Sequence, residues 1–317
     1  MKEVTFLKQN AEKWERFEQE LFQKEKQNAD DAANLFIEIT NDLSYSKTHY
    51  PNSKTTQYLN SLASKVHHSI YQNKKEGNQR MLSFWKTELP LVVKKHHKQL
   101  FISFVIFFIS CLIGWFSAKY DDSFVRLILG DTYVNMTLEN IENNDPMAVY
   151  KSSKEVDMFL GITINNVRVS FLVFILGLFF SVGSGFLLFS NGVMLGSFQY
   201  FFLAKGLFLE SFLTIWIHGT LEISAIIIAG GAGIVLGNSI LFPKTFSRGE
   251  SFIMGAKNGL KIIIGIVPIF IVAGFLEGFV TRHTDMPIYL SLFIILGSFS
   301  FVIWYFIIYP IQLKISN

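Results

Sequence analysis

The stretch 216-WIHGTLEISAIIIAGGAGIVLG-237 decides how the rest of the chain is read. It is long and apolar enough to cross a bilayer, whose hydrocarbon core takes about 20 helical residues. Yet it carries His218 and Glu222. An ionisable side chain in hydrocarbon costs about 3 kcal/mol or more unless it is paired or faces a cavity, so these two mark a candidate functional site. Four residues apart, they share one helical face.

Composition agrees with a membrane protein. Half of the 317 residues are hydrophobic, mean hydropathy is +0.34, and the 33 phenylalanines cluster after residue 100. A formal charge of +3 is too small to argue for nucleic acid, and the bases sit mainly beside apolar segments, where topology explains them. The single cysteine, Cys111, allows no disulfide framework and no cysteine-based zinc site within one chain. The start, Met1-Lys-Glu-Val-Thr-Phe, lacks the basic and apolar pattern of a cleaved signal peptide.

The expected fold is all-α: a polytopic membrane protein with about six transmembrane helices behind an N-terminal cytoplasmic helical region. Residues 1–95 form that region and 96–317 the membrane domain. In the front, Trp14, Phe17 and Leu21, then Leu35, Phe36, Ile39 and Leu43, then Leu59, Leu62, Val66 and Ile70 recur at helical spacing, predicting three helices around one small core. Breaks are expected at 28–31 and around Pro51, with Ser53 placed to cap the third helix. Residues 81–93 mix Phe84, Trp85 and Leu89 with Lys86 and Glu88, as suits a headgroup-level elbow bent at Pro90.

The expected spans are 100–118, 167–189, 192–209, 212–236, 259–280 and 288–309. The first loop, 119–163, is acidic, with Asp121, Asp122, Asp131, Glu139, Glu142, Asp145, Glu155 and Asp157 against Lys119, Arg126, Lys151 and Lys154. The loop near 237–261 carries Lys244, Arg248, Lys257 and Lys261 against Glu250. Under the positive-inside rule the first loop is external, Lys244 and Arg248 belong to a cytoplasmic basic loop, and both termini are cytoplasmic, in a bacterial inner membrane. Those bases also suit contact with anionic lipid. Spans two and three join at Ser190-Asn191-Gly192, a turn so tight that a re-entrant pair is the alternative.

On this topology His218, Glu222 and Glu277 lie at similar depth in the outer half of the membrane. Asn165, Asn166 and Arg168, at the outer entrance of span two, would complete one polar cluster. Three readings compete: a hydrogen-bonded set that fixes helix register, a proton, ion or headgroup site, and a metal site. One histidine with two carboxylates can ligate zinc, but HxxxE lacks the second histidine of HExxH, so neither metal nor cofactor is expected. Gly192 and Gly196, Gly233 and Gly237, Gly255 and Gly259, and Gly274 and Gly278 stand four apart and suit close helix packing. Gly230-Gly231-Ala-Gly233 follows no strand, which rejects a nucleotide fingerprint and leaves packing or a kink.

Several segments, in order, resemble the stage II sporulation protein M family: "NLFIEITNDLSYSKTHYPNS", "YLNSLASKVHHSIY", "SFWKTELPLVVKKH", "INNVRVSFLVFILGLFFSVGSGFLLFSNGVMLG", "HGTLEISAIIIAGGAGIVLG" and "AGFLEGFVT". The most specific part is His218, Gly219 and Glu222 ahead of the glycine-rich run, and the second is Glu277-Gly278-Phe279. The resemblance implies a membrane scaffold; in endospore formers such proteins serve the peptidoglycan-degrading stage II sporulation proteins D and P during engulfment. Relatives in bacteria without spores are often encoded beside RDD-type membrane proteins and MoxR-type ATPases, and the long front here is similar to theirs. A non-enzymatic scaffold or subunit of an envelope complex is therefore expected, with membrane lipids and other envelope proteins as partners and a homo-oligomer allowed. The alternative is a transporter, channel or permease-like module using His218, Glu222 and Glu277. An intramembrane hydrolase ranks third, for want of a nucleophile with an adjacent base.

Overall fold

The computed structural model describes residues 2–22, 29–71, 78–151, 154–284 and 286–313, and among these there is helix and turn but no strand. The chain forms two compact units, Met1–Arg80 and Met81–Asn317.

The first unit holds α1 (Glu3–Phe22), α2 (Ala29–His49) and α3 (Lys54–Tyr71). Phe6, Trp14, Phe17, Ile39, Leu43, Leu59, Leu62 and Ala63 form its core, with Phe36 packed against it. The Trp14 indole donates to Asp42 at 2.9 Å, so the largest core side chain keeps its polar edge satisfied. Ser53 caps α3 by accepting from the Thr56 amide at 3.1 Å. The side chains of Leu21, Leu35, Val66 and Ile70, and residue 28 of the first break, lie outside the described residues; α2 is already under way at Ala29.

The helix α4 (Asn78–Ser83) straddles the boundary between the units and passes through a π-turn, Phe84–Glu88, into α5 (Leu89–Lys95) of the second. There follow α6 (His97–Tyr120), α7 (Asp122–Leu129), α8 (Asp131–Glu142), α9 (Glu155–Ile175), α10 (Val182–Ala204), α11 (Phe208–Leu241), α12 (Arg248–Phe275), α13 (Ile288–Ile303) and α14 (Tyr309–Gln312). Among the described residues, six helical segments are long and apolar enough to span a membrane: His97–Tyr120, Glu155–Leu178, Val182–Ala204, Phe208–Leu241, Arg248–Val280 and Ile288–Gln312. The span read first from the sequence, α11, is the central one, touched by α6, α9, α10, α12 and α13. Its glycine run does not interrupt it, and the helix is continuous from Phe208 to Leu241.

The unit boundary falls at residue 80 rather than 95, because the elbow packs into the membrane unit instead of lying flat at headgroup level. Leu89 is fully buried against Gly265, and Lys261 pairs with Glu88. Pro90 does not break the helix, since Glu88 and Leu89 keep helical dihedrals.

The joint between spans two and three is also displaced. Ser190, Asn191 and Gly192 lie inside α10, where the Asn191 amide donates to the Leu187 carbonyl at 2.8 Å and Gly192 meets the backbone of α6. The chain reverses instead at Phe179-Phe180-Ser181, where Phe180 and Ser181 take φ of 54° and 67°. Their amide neighbourhood is satisfied locally, Ser181 donating to Gly177 at 3.0 Å. Exposed Phe179 and Phe180 suit a turn at a lipid interface, which is why hydropathy hid it. Span two consequently begins at Glu155, so Asn165, Asn166 and Arg168 sit near its middle rather than at its entrance.

The 119–163 segment is not an open loop. Through α7, α8 and the turn at Met147 and Tyr150 it packs on Ala118, Phe201, Phe202 and Ile215, capping that end of the bundle.

Candidate functional site

Two helices bring the intramembrane ionisable groups together. α11 carries His218 and Glu222 one turn apart, and the end of α12 supplies Glu277 through the π-turn Leu276–Val280. Such single π-turns re-aim a side chain that a regular helix would rotate elsewhere. His218 is buried, Glu222 and Glu277 are half-buried, and one ligating atom from each lies within 4.8 Å of the others. His218 Nε2 stands 3.7 Å from Glu277 Oε2, beyond a hydrogen bond.

The other ring nitrogen is fixed. The Thr281 hydroxyl donates to the Leu276 carbonyl at 3.1 Å, so towards His218 Nδ1, 3.0 Å away, it accepts. That pairing assigns the proton to Nδ1 and turns the Nε2 lone pair towards the carboxylates. Tyr150, from the 119–163 segment, covers the imidazole edge-on at 5.6 Å between ring centres. Burial, and then the Glu277 carboxyl beside it, raises the Tyr150 phenol well above its ordinary range, keeping it neutral.

From α9, Asn166 is buried with its amide towards Glu222, yet its Nδ2 meets no acceptor at hydrogen-bond distance. Asn165 and Arg168 do not join the cluster: both are exposed on the outer side of α9, since helical rotation leaves only Asn166 of the three facing inward. A cavity of about 370 Å³, walled by Phe107, Tyr133, Asn191 and Met194 among others, reaches His218 and Glu222. A second, of about 380 Å³, reaches Thr281 from the side of Glu210, His283 and Ser291. The sequence reading missed Thr281 and Tyr150. Thr281 stands four residues after Glu277 and was findable by spacing, whereas Tyr150 carries no sequence signal.

The glycines surround this site as contact points between backbones. A Cβ on Gly196 would overlap the Cys111 carbonyl of α6, and on Gly192 it would lie 2.6 Å from the Ser110 Cβ. Gly233 and Gly237 admit Ser184 and Ser181, Gly230 and Gly231 admit Leu188 and Leu100, and Gly274 and Gly278 admit Thr163 and Phe159 of α9. Serines then bridge the helices: Ser184 donates to Val173 O and Ser103 to Ile227 O, each at 2.6 Å. Lys244 and Arg248 are exposed between α11 and α12, with Ser247 and Glu250 forming a capping box for α12.

Fold and site together define a polytopic helical membrane protein with a histidine–dicarboxylate cluster buried between its helices. The profile of the stage II sporulation protein M family matches residues 103–282, which include the whole cluster, and the chain belongs to that family. A domain of unknown function (DUF8413) matches residues 4–72. An uncharacterized protein of Methanocaldococcus jannaschii is 29% identical over 157 residues, covering 48% of this chain and 68% of that protein. No solved structure matches the chain.

Proposed function

We propose that the protein is a non-enzymatic scaffold or subunit of a cell-envelope complex, seated in the bacterial cytoplasmic membrane with both termini inside. The observation that carries this reading is its modular build: a separate helical unit, matched by its own family profile, precedes the membrane unit. That front turns Val4, Leu7 and Ile37 outward in addition to filling its own core, which suits a contact module for a partner. The acidic 119–163 segment and the bases Lys244 and Arg248 support the orientation. The partners are membrane lipids and other envelope or membrane proteins, with RDD-type membrane proteins and MoxR-type ATPases the first to test by family analogy. Deleting residues 1–78 should leave membrane insertion intact and abolish partner recovery in mild detergent. Full recovery by the truncated protein would sink the docking role of the front.

A second reading, a transporter or permease-like module, is favoured by one observation: a cavity of about 370 Å³ reaches His218 and Glu222 within the membrane unit. It predicts a pH-dependent flux that collapses in Glu222→Gln, whereas the scaffold reading predicts no flux and unchanged partner assembly in that variant.

A further inference from the structure

We propose that His218, Glu222 and Glu277 hold one divalent first-row transition metal ion of the zinc or manganese class, with a coordination position open to the cavity along α6, α10 and α11. The inference does not depend on the docking role of the front.

The argument begins with the imidazole. With the Thr281 hydroxyl donating to Leu276, Nδ1 is the protonated nitrogen and His218 turns an Nε2 lone pair to the two carboxylates. Three potential ligand groups thus converge within 4.8 Å, and the amide beside them, Asn166 Nδ2, stops short of hydrogen-bond distance. A cation between them removes that conflict. A divalent ion neutralises the two carboxylates, and the imidazole ligand selects against magnesium and calcium, which prefer oxygen.

The spacing fits. With metal–ligand bonds of about 2.0–2.2 Å, two ligands on one ion stand roughly 3.3–4 Å apart, and His218 Nε2 and Glu277 Oε2 are at 3.7 Å. The other pairs lie within 4.8 Å, so side-chain shifts of about 1 Å at most bring all three into that range. The link from Nδ1–H to Thr281 and on to a backbone carbonyl is the outer-shell support that metal-bound histidines use to fix tautomer and ring plane. An independent observation comes from α9. Asn166 is 5% exposed, lies against Glu222, and keeps its Nδ2 without a partner. That group is placed to donate to a water on the ion, and the cavity of about 370 Å³ gives ion and water an entry path.

The test uses the full-length protein, carrying a tag free of histidine, purified in mild detergent and equilibrated with zinc or manganese before desalting and elemental analysis. The expected result is close to one equivalent per chain. His218→Gln and Glu222→Gln should lose it, and Thr281→Val should weaken affinity about 10- to 100-fold. His96→Gln, at a histidine elsewhere in the chain, should retain the full equivalent. Should the cluster variants fail to fold, X-ray absorption on the metal-loaded wild type decides. One imidazole and only nitrogen or oxygen ligands at about 2.0–2.2 Å support the site. Absence of stoichiometric metal in the wild type, a sulfur ligand, no imidazole, or undiminished binding in folded Glu222→Gln would overturn it.

Discussion

At the scale of single residues, the cluster is held by complementary deficits. His218 pairs its Nδ1 with Thr281, Glu277 stands too far from Nε2 for a direct bond, and Asn166 Nδ2 makes no hydrogen bond. Removing one member leaves the others short of partners, so the effects of removal should not add. Glu222→Ala and Glu277→Ala together should destabilise less than the sum of the single changes, with a coupling on the order of 1 kcal/mol in a thermal or denaturant double-mutant cycle. Additive losses would mean that the two carboxylates act separately. Much of this was legible beforehand: His218 and Glu222 one turn apart, and Glu277 at matching depth, follow from span counting. What failed was the placing of Asn165 and Arg168. A helix start misplaced by about a dozen residues puts the wrong side chains at the membrane surface, and only the rotation of α9 separates Asn166 from its neighbours.

At the scale of elements, the prolines show how the elbow and the last span lock together. Pro90 follows the π-turn Phe84–Glu88, so the carbonyls of Trp85 and Lys86 lose their helical donors. Tyr305 donates to Trp85 O at 2.6 Å and Tyr309 to Lys86 O at 2.8 Å. The same device recurs at Pro310, which follows the π-turn Trp304–Ile308, and there His97 Nε2 reaches Phe306 O at 3.0 Å. Tyr305→Phe should therefore cost about 1–3 kcal/mol, and Tyr309→Phe less, because water can reach the more exposed Lys86 carbonyl. Equal and negligible shifts in thermal unfolding would contradict this account of the elbow. His96, between α5 and α6, adds a pH dependence. Burial, with Lys95 beside it, lowers its pKa to about 4, and Asn258 Nδ2 lies 3.1 Å from its Nε2. An unfolded chain binds this proton below about pH 6.5 while the fold resists it. Its contribution is thus intact above that value and declines as pH falls towards about 4. His96→Gln should flatten part of the acid decline in melting temperature, and an unchanged profile would show that His96 is uninvolved. None of these contacts was readable from the sequence, which marked Pro90 as a bend. Proline removes a donor, but a long-range tyrosine decides whether the helix breaks.

At the scale of the whole molecule, six spans order the chain into a capped bundle around α11, with the 119–163 segment covering the end where His218 lies. The existence of the spans was legible because hydropathy reports lipid exposure directly. Their ends were less so, because the turn at Phe179-Phe180-Ser181 is as apolar as the helices it joins. In the proposed orientation the cap and cluster end face outward, and the helical front and the basic loop face inward. Cysteine accessibility tests that most directly, in a Cys111→Ala background that removes the native thiol. Single cysteines at Asn143, in the cap, at Thr245, in the basic loop, and at Lys8, in the front, would be challenged with an impermeant thiol reagent. Asn143→Cys should label in intact cells, while Thr245→Cys and Lys8→Cys should label only after permeabilisation. Labelling of Thr245→Cys or Lys8→Cys in intact cells, with Asn143→Cys protected, would contradict the account.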